Sequence, residues 1–336
     1  MKWCKIKMYF KGVANISQVD TNPFKYSDTN KRYHTYNYYL KKKFGQKCAK
    51  IPLDCGFTCP NIDGTVGHGG CIYCSGGSSW GQSRGVLPLS EQYKKGIEVM
   101  RGKWDTNSFI PYLQAYTNTH TSPENLEKIL DHVSKFEGAV MIDIATRADC
   151  LSDEIISVLN RMSSVIPLTV ELGLQTSNDK TAEKINRCHT FEQFENGFYR
   201  LRQGAPNVKI GIHIINGLPG ETALDMKNTA SRVAFLHPDL VKIHLLHVLK
   251  DTPLCALYER GEYAPLEKED YINIVCDQLE ILPPDIVIER VTGDGIESEL
   301  LAPLWSKKKV SVINDIDKEL VKRNTYQSIH YLEIKE

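Results

Sequence analysis

The chain has 336 residues, a length that suits one large α/β domain with extensions better than two ordinary domains. Its 41 basic and 41 acidic side chains cancel, but residues 1–50 carry 12 of the basic and only 2 of the acidic ones, which predicts a basic arm on an acidic body. No run of about 18 apolar residues occurs, and the sequence therefore predicts no membrane-spanning helix.

The N-terminal segment, Met1 to Val13, alternates Lys with apolar residues, unlike the uninterrupted apolar core of a signal peptide. We therefore expect a cytoplasmic protein with no membrane partner. Ten cysteines in a reducing compartment argue against a disulfide framework, and four of them lie between Cys55 and Cys74, which indicates a metal or cluster site. The other six are predicted to be small buried apolar residues.

Residues 24–50 interleave aromatic and basic side chains, most densely between Tyr36 and Phe44. In one interpretation the lysines at 41–43 neutralise RNA phosphates while the tyrosines stack on unpaired bases. In the other, the segment is a helix whose aromatic side chains and Leu40 pack on the core while the lysines face water. Composition alone leaves both interpretations open.

From residue 45 onward, short β-rich runs alternate with amphipathic segments of helical length, as in consecutive βαβ units of a parallel sheet. The predicted strands are Lys47–Asp54, Phe109–Tyr116, Ala139–Ala145, Leu168–Leu174, Val208–Ile215, Val241–Val248 and Ile286–Val291. The predicted helices are Ser90–Trp104, Pro123–Phe136, Ser152–Met162, Asn178–Arg187, Phe191–Arg202, Thr222–Leu236, Glu267–Ile281 and Lys307–Thr325. This series predicts an α/β fold, a closed or partial barrel whose ligands gather at the carboxyl ends of the strands.

Three regions follow from this pattern. Residues 1–44 form a basic, aromatic N-terminal extension, residues 45–295 form the β/α core, and residues 296–336 form a C-terminal extension with one amphipathic helix. Ser122 and Ser152 are placed to cap the helices that follow them.

A glycine-rich loop with three cysteines, Cys59, Cys71 and Cys74, follows the first predicted strand. Glycine lets the main chain wrap closely around a bulky ligand, and a [4Fe-4S] cluster ordinarily takes four cysteine thiolates. Three grouped cysteines would leave one iron open to an exogenous ligand, as an enzyme that chelates and reduces S-adenosylmethionine (SAM) requires. Tyr73, between the last two cysteines, fits a side chain resting near an adenine ring.

The alternative for this loop recruits Cys55 as a fourth ligand, which gives a spacing within reach of a structural Cys4 zinc site. Against it, Cys55 ends an alternating run with Ile51 and Leu53, which predicts that its side chain points into the packing of the sheet.

The stretch from Phe44 to Thr65 is similar to the radical SAM proteins called YtqA in bacilli and YhcC in enterobacteria, whose core resembles that of the elongator catalytic subunit. The similarity covers about residues 33–310 and includes the blocks that begin at Thr146, Glu171, Asn186, Gly217 and Arg290. It implies a partial (β/α)6-type radical SAM barrel with a [4Fe-4S] cluster and SAM as cofactors. Cys55 stands where the family usually shows Ala, which keeps the four-cysteine alternative open.

Radical SAM proteins of the coproporphyrinogen dehydrogenase type contact SAM through a Gln and an Arg twelve positions apart, and Gln175 and Arg187 have this spacing. Arg offers a planar fork to the methionine carboxylate, and Gln offers both donor and acceptor to the ribose hydroxyls. Alternatively, Arg187 only favours the negative end of a helix dipole.

The resemblance implies further SAM-binding positions. His213, Ile215 and Gly217 lie in a segment that resembles the adenine-binding glycine motif, and Asn118 lies where many relatives have a Gly-Gly-Glu block that contacts the methionine amine. Glu171 and Asp149 are strand-end candidates for substrate or ribose contacts, although ion pairs with Arg147 or Arg187 would also explain them.

Two histidines of the sixth predicted strand, His244 and His247, are expected to point to opposite faces and so not to form a ligand pair. No catalytic side chain beyond the cofactor ligands is predicted.

Together these features imply an enzyme that reductively cleaves SAM to methionine and a 5′-deoxyadenosyl radical, with an electron donor such as flavodoxin or ferredoxin. The family resemblance implies tRNA as substrate, with 5-carboxymethylaminomethyluridine at the wobble position converted toward 5-aminomethyluridine. One alternative is a radical SAM enzyme acting on a small metabolite, a lipid or a protein. The other is a non-catalytic Cys4 zinc or Fe-S RNA-binding module.

Overall fold

The computed structural model describes residues 22–75, 87–293, 295 and 297–331. Its strands are β1 (Ala49–Leu53), β2 (Phe109–Leu113), β3 (Ile142–Thr146), β4 (Leu168–Gln175), β5 (Lys209–Asn216), β6 (Leu240–Leu245), β7 (Val248–Leu249), β8 (Val287–Arg290) and β9 (Leu300–Ala302). Seven of them form one parallel sheet in the order β1-β2-β3-β4-β5-β6-β8. The short strands β7 and β9 form a separate antiparallel pair.

The helices are α1 (Tyr36–Phe44), α2 (Leu89–Arg101), α3 (Pro123–Ser134), α4 (Asp153–Ser163), α5 (Asp179–Lys184), α6 (Phe191–Gly204), α7 (Ala223–Leu236), α8 (Pro253–Glu259), α9 (Lys268–Ile281) and α10 (Lys309–Lys322). Each step along the large sheet crosses through at least one helix, as parallel strands require. Ser122 and Ser152 cap α3 and α4 as predicted, because each hydroxyl accepts a hydrogen bond from the main-chain N–H three residues on. Among the helices of the described residues, none combines the length and apolar character needed to cross a bilayer.

The predicted partial barrel is confirmed. In a flat sheet the two edge strands β1 and β8 would lie roughly 29 Å apart, since neighbouring strands are spaced by about 4.8 Å. Instead, the Lys50 ammonium on β1 forms ion pairs with Glu171 of β4 and with Glu289 of β8. The sheet therefore curls until side chains of its two edges meet across the interior. Apolar residues on its outer face, such as Ile51 and Val170, are fully buried against the helices.

Helix α1 covers the amino ends of the strands. Its Leu40 packs with Cys48, Ile110 and Met141, which lie before or at the start of β1, β2 and β3. The helical interpretation of the basic segment is thus the one that the structure adopts, with the lysines at 41–43 exposed in the last turn of α1. Residues 1–21 of the predicted N-terminal extension lie outside the described residues.

All seven predicted strands and all eight predicted helices are present, with boundaries that differ by a few residues. The sixth strand is the main difference, because it ends at Leu245 and the chain turns away to form β7. The short elements β7, β9 and α8, and the helical state of α1, were not assigned from periodicity. Elements of this length contain too few residues for a hydrophobic period to be visible.

Candidate functional site

A cavity of about 430 Å³ opens at the carboxyl ends of the strands. Its lining includes these residues predicted from the sequence: Cys59, Cys71, Cys74, Tyr73, Glu171, Gln175, Arg187 and His213. The barrel thus brings together side chains from β4, β5 and the loop after β1. This arrangement matches the expectation that chemistry follows the strand ends.

The cysteine loop is held in shape by its own main chain and by Asn186. The Cys59 carbonyl accepts hydrogen bonds from the N–H groups of Ile62 (2.7 Å) and Asp63 (3.1 Å). The Asn186 amide donates to the carbonyls of His68 (2.9 Å) and Gly70 (2.7 Å), which ties the loop to the segment after α5. The three thiols are therefore presented by a preorganised loop.

Cys55 does not line this cavity. Its side chain is partly buried and packs against the main hydrophobic core, as the alternation with Ile51 and Leu53 predicted. Burial raises the pKa of the Cys55 thiol to about 12, as is usual for a thiol packed against apolar side chains. The geometry therefore favours the three-cysteine site over the Cys4 alternative.

Gln175 and Arg187 meet over Gly173. A Cβ atom at Gly173 would lie 2.7 Å from Gln175 Nε2 and 3.1 Å from Arg187 Nη2, so an added methyl group would push against the ends of both side chains. Arg187 donates from Nη2 to the Gly173 carbonyl, and its Nη1 lies 4.0 Å from Cys71 Sγ. The predicted pair is thus side by side next to a predicted cluster ligand.

Arg147 positions the turn that carries Arg187. Its guanidinium donates to both carboxylate oxygens of Asp149 (2.9 and 2.7 Å) and to the main-chain carbonyls of Arg187 (3.0 Å) and Cys188 (3.3 Å). Arg147 belongs to the sequence block that begins at Thr146, and the two carbonyls that it contacts belong to the block that begins at Asn186. The first block therefore fixes the position of the second. The helix-dipole explanation of Arg187 is weaker, because α5 ends at Lys184 before it.

Buried donors that lack a partner show that this cavity suits a polar ligand. Within the described part of the chain, Arg187 Nε, Gln114 Nε2 and His244 Nε2 are inaccessible to solvent and make no hydrogen bond. All three residues line the cavity. A buried donor left unpaired costs about 1–3 kcal/mol; the methionine carboxylate of SAM would satisfy Arg187 Nε, and acceptor groups of a bound ligand would satisfy the other two donors. The residues present therefore fit a thiolate-held cluster with SAM beside it.

The floor of the cavity is a network of buried charges. Glu171 is fully buried and accepts from Lys50 (2.7 Å), Lys242 (2.5 Å), Tyr112 (2.7 Å) and His213 (2.9 Å). Burial by itself raises the pKa of Glu171, but Lys242 and Lys50 hold that pKa well below its usual range. The carboxylate is thus ionised, and its oxygens are occupied by partners within the chain.

Asp149 pairs with Arg147 as expected, but the expected partners of Glu171, Arg147 or Arg187, were wrong. Lys50 and Lys242 take that role because the curl of the sheet brings β1 and β6 to β4. His213 is neutral at physiological pH, since burial and Lys242 lower its pKa to about 4, and it donates from Nε2 to Glu171. Sequence reasoning missed Lys50, Lys242 and their partners on β3 and β8, Asp143 and Glu289. The available signal was a charged residue inside each of these otherwise apolar strands.

Three predicted SAM-binding residues do not line the cavity. Asn118 is fully buried, and its amide donates to the carbonyls of Leu113, Ala115 and Ala145, so it braces the turn after β2. Ile215 packs against the same small apolar cluster as Tyr73.

Gly217, the third of these residues, makes a turn with φ 90° whose carbonyl accepts from the Tyr263 hydroxyl at 2.9 Å. We retain Tyr73, Gln175 and Arg187 as the predicted SAM contacts within the cavity.

The expectation that His244 and His247 point apart was wrong. Both line the cavity, and a Cβ at Gly293 would lie 3.3 Å from His244 Nδ1 and 3.4 Å from His247 Cε1. The reason is that β6 ends at Leu245, so the alternation of a strand no longer applies to His247.

The Gln175–Arg187 pair, which lies against Gly173, leads to a prediction about the affinity for SAM. Arg187→Ala is expected to weaken SAM binding by about 1.5–3 kcal/mol, the range for hydrogen bonds to charged groups. Gly173→Ala is expected to weaken it as well, because the added methyl must displace Gln175 and Arg187. The measurement is SAM affinity by isothermal calorimetry on reconstituted protein.

Gly102→Ala is the matched control, since a Cβ there meets only ordinary contacts at 3.5 Å. Unchanged affinity in Arg187→Ala would return this arginine to a purely structural role.

Comparison with known proteins agrees with this geometry. The Radical SAM superfamily model matches residues 63–233, and the Radical_SAM C-terminal domain model matches residues 238–322. The chain is 44% identical to YtqA of Bacillus subtilis (strain 168), over 95% of this chain and 98% of that protein. It is 26% identical to the tRNA uridine(34) acetyltransferase of Methanocaldococcus jannaschii, over 68% of this chain and 49% of that protein.

Among solved structures, the chain is similar to the Elp3 protein of Methanocaldococcus infernus. The TM-score is 0.63 and the identity 18%, over 83% of this chain and 64% of that one, which supports the shared fold. Members of the matched superfamily use a [4Fe-4S] cluster and SAM. The chain therefore belongs to the radical SAM superfamily and, within it, to the family of YtqA.

Proposed function

We propose that this protein is a radical SAM enzyme that modifies the wobble uridine of tRNA, converting 5-carboxymethylaminomethyluridine toward 5-aminomethyluridine. Cys59, Cys71 and Cys74 would hold the cluster as thiolates. Arg187 would bind the methionine carboxylate of SAM, and Gln175 the ribose hydroxyls. When bound, the cluster and SAM together supply a 5′-deoxyadenosyl radical able to remove a hydrogen atom from the substrate.

The observation that carries the SAM part of this proposal is the shared cavity. Three cysteines of one loop and the Gln175–Arg187 pair of another line it, and a buried donor of Arg187 has no partner among the described residues. Tyr73 lies in the same wall and presents an aromatic surface suited to an adenine ring. An external one-electron donor, such as flavodoxin or ferredoxin, belongs to the proposal because the cluster must be reduced.

Family relationships support tRNA as the substrate. One relative is named for tRNA uridine 34 and shares similarity over 68% of this chain. The lysines of α1 do not add to this argument, because α1 covers the amino ends of the strands and the cavity opens at their carboxyl ends. A tRNA whose wobble base enters the cavity would have to extend around the barrel to contact the lysines of α1.

The experiment is mass spectrometry of the nucleosides of digested tRNA from a strain that lacks the gene. Loss of the protein is expected to raise 5-carboxymethylaminomethyluridine and to remove nucleosides derived from 5-aminomethyluridine. The wild-type gene should restore the profile, whereas a Cys71→Ala copy should not. An unchanged wobble-uridine profile in the deletion strain would refute tRNA as the substrate and leave the SAM chemistry untouched.

A further inference from the structure

We propose that Arg290, Gln114 and His244 form a subsite of the cavity that binds the carboxylate of the substrate. This inference rests on the proposed function, because the substrate named there carries a carboxymethyl group on its side-chain nitrogen. It identifies which part of that substrate the chain recognises, and through which residues.

The three residues sit at the carboxyl ends of three strands of the curled sheet. Gln114 directly follows β2, His244 lies at the end of β6, and Arg290 is the last residue of β8, and all three line the cavity. The curl of the sheet brings these ends together, as the contact of Tyr112 with Lys242 at 3.3 Å shows for β2 and β6. The loop after β8 closes on His244, since a Cβ at Gly293 would lie 3.3 Å from its Nδ1.

Arg290 is a guanidinium that lines the cavity and can receive an incoming anion. Of the other cations lining the cavity, Lys242 already contacts Glu171, Glu289 and Tyr112, which matches the three donors of an ammonium group. Arg147 is committed to Asp149 and to two main-chain carbonyls.

Arg187 is the remaining cation, and we assign it to SAM. Arg290 carries five N–H donors in a planar fork, so it can take a carboxylate in addition to contacts within the chain.

Two neutral donors complete the subsite. Gln114 Nε2 and His244 Nε2 are buried and have no hydrogen-bond partner among the residues described. Burial, together with His213 and Arg290, holds the pKa of His244 well below its usual range, so its ring is neutral and can present an N–H at Nε2. A carboxylate has about four acceptor positions, enough for both neutral donors and the guanidinium. A substrate without the carboxylate would leave these donors unpaired.

The test uses two anticodon stem-loop RNAs that differ only in the wobble base, 5-carboxymethylaminomethyluridine in one and 5-aminomethyluridine in the other. Their affinities are measured for reconstituted wild-type holoprotein and for Arg290→Gln, His244→Ala and Gln114→Ala. Wild type is expected to prefer the carboxylated RNA, and Arg290→Gln to lose roughly 10- to 100-fold in that preference, the scale of charge-assisted hydrogen bonds. The neutral-donor variants should lose less. Arg161→Gln, which removes an exposed ion pair with Glu127, is the matched control.

SAM affinity and 5′-deoxyadenosine release without RNA are measured in parallel, and both should stay unchanged in the three variants. If these variants instead lose SAM affinity, the residues serve SAM and the subsite is refuted. If wild type prefers the carboxylated RNA but Arg290→Gln keeps that preference, the proposed function stands and the subsite is refuted. If wild type shows no preference, the subsite is refuted; if it also fails to convert the carboxylated RNA under reducing conditions, the proposed function falls with it.

Discussion

Replacing Cys59, Cys71 or Cys74 by Ala is expected to abolish cluster binding. Wild-type protein reconstituted without oxygen should hold about four irons per chain, as a cysteine-ligated [4Fe-4S] cluster does. Each replacement leaves two thiolates on the loop, and among the described residues Cys59, Cys71 and Cys74 are the only cysteines that line the cavity, while Cys55 packs against the core. Iron content and the visible absorption of the cluster are the measurements.

Cys55→Ala is the matched control for these variants, since it removes a thiol four residues from Cys59 while leaving the cavity lining intact. It should keep its full iron content. Loss of metal in Cys55→Ala, or purified protein that holds stoichiometric zinc, would instead establish the Cys4 site and remove the basis for SAM chemistry.

Glu171→Ala is expected to lower the free energy of unfolding by about 3–5 kcal/mol, the range for breaking a buried ion pair on one side. The side chain is fully buried between Lys50 and Lys242, and its removal leaves the buried ammonium group of Lys242 and the partly buried one of Lys50 with fewer carboxylates around them. The unpaired Tyr112 hydroxyl and His213 ring add to the cost. Urea denaturation monitored by circular dichroism measures the change.

The matched control is Glu127→Ala, whose carboxylate pairs with Arg161 at the surface. Exposed pairs contribute about 0–1 kcal/mol, so this variant should unfold close to wild type. A loss below about 1 kcal/mol in Glu171→Ala would contradict the buried network.

The pH dependence of this contribution follows from the sign of the pKa shift. Because Lys242 and Lys50 overcome the effect of burial and hold the pKa of Glu171 well below the unfolded value of 4.5, the stabilisation is complete above that value. It is lost as the pH falls toward the folded pKa. Acid unfolding of wild type should therefore be steeper than that of Glu171→Ala in this range.

Periodicity and spacing were sufficient for the seven strands of the large sheet and the longer helices, but not for β7, β9, α8 or the helical state of α1. Each strand of the large sheet is a short run bounded by turn residues, and each helix carries an apolar face, so both could be assigned from neighbours in sequence. The cysteine loop was recognisable because its three thiols lie within 16 residues, from Cys59 to Cys74. The Gln175–Arg187 pair could also be recognised from the sequence, because the two residues lie close together in the chain, one on each side of α5.

What only the tertiary structure decided are the contacts made by the curl of the sheet. Lys50 and Glu289 are separated by 239 residues, and no local pattern indicates that they meet. The same curl brings two lysines to Glu171 and places Gln114, His244 and Arg290 around one cavity. The tertiary structure also surrounds the buried Asn118 amide with main-chain carbonyls. Sequence periodicity reports which face of an element a side chain occupies, whereas the shape of the closed sheet determines which of those side chains share the interior.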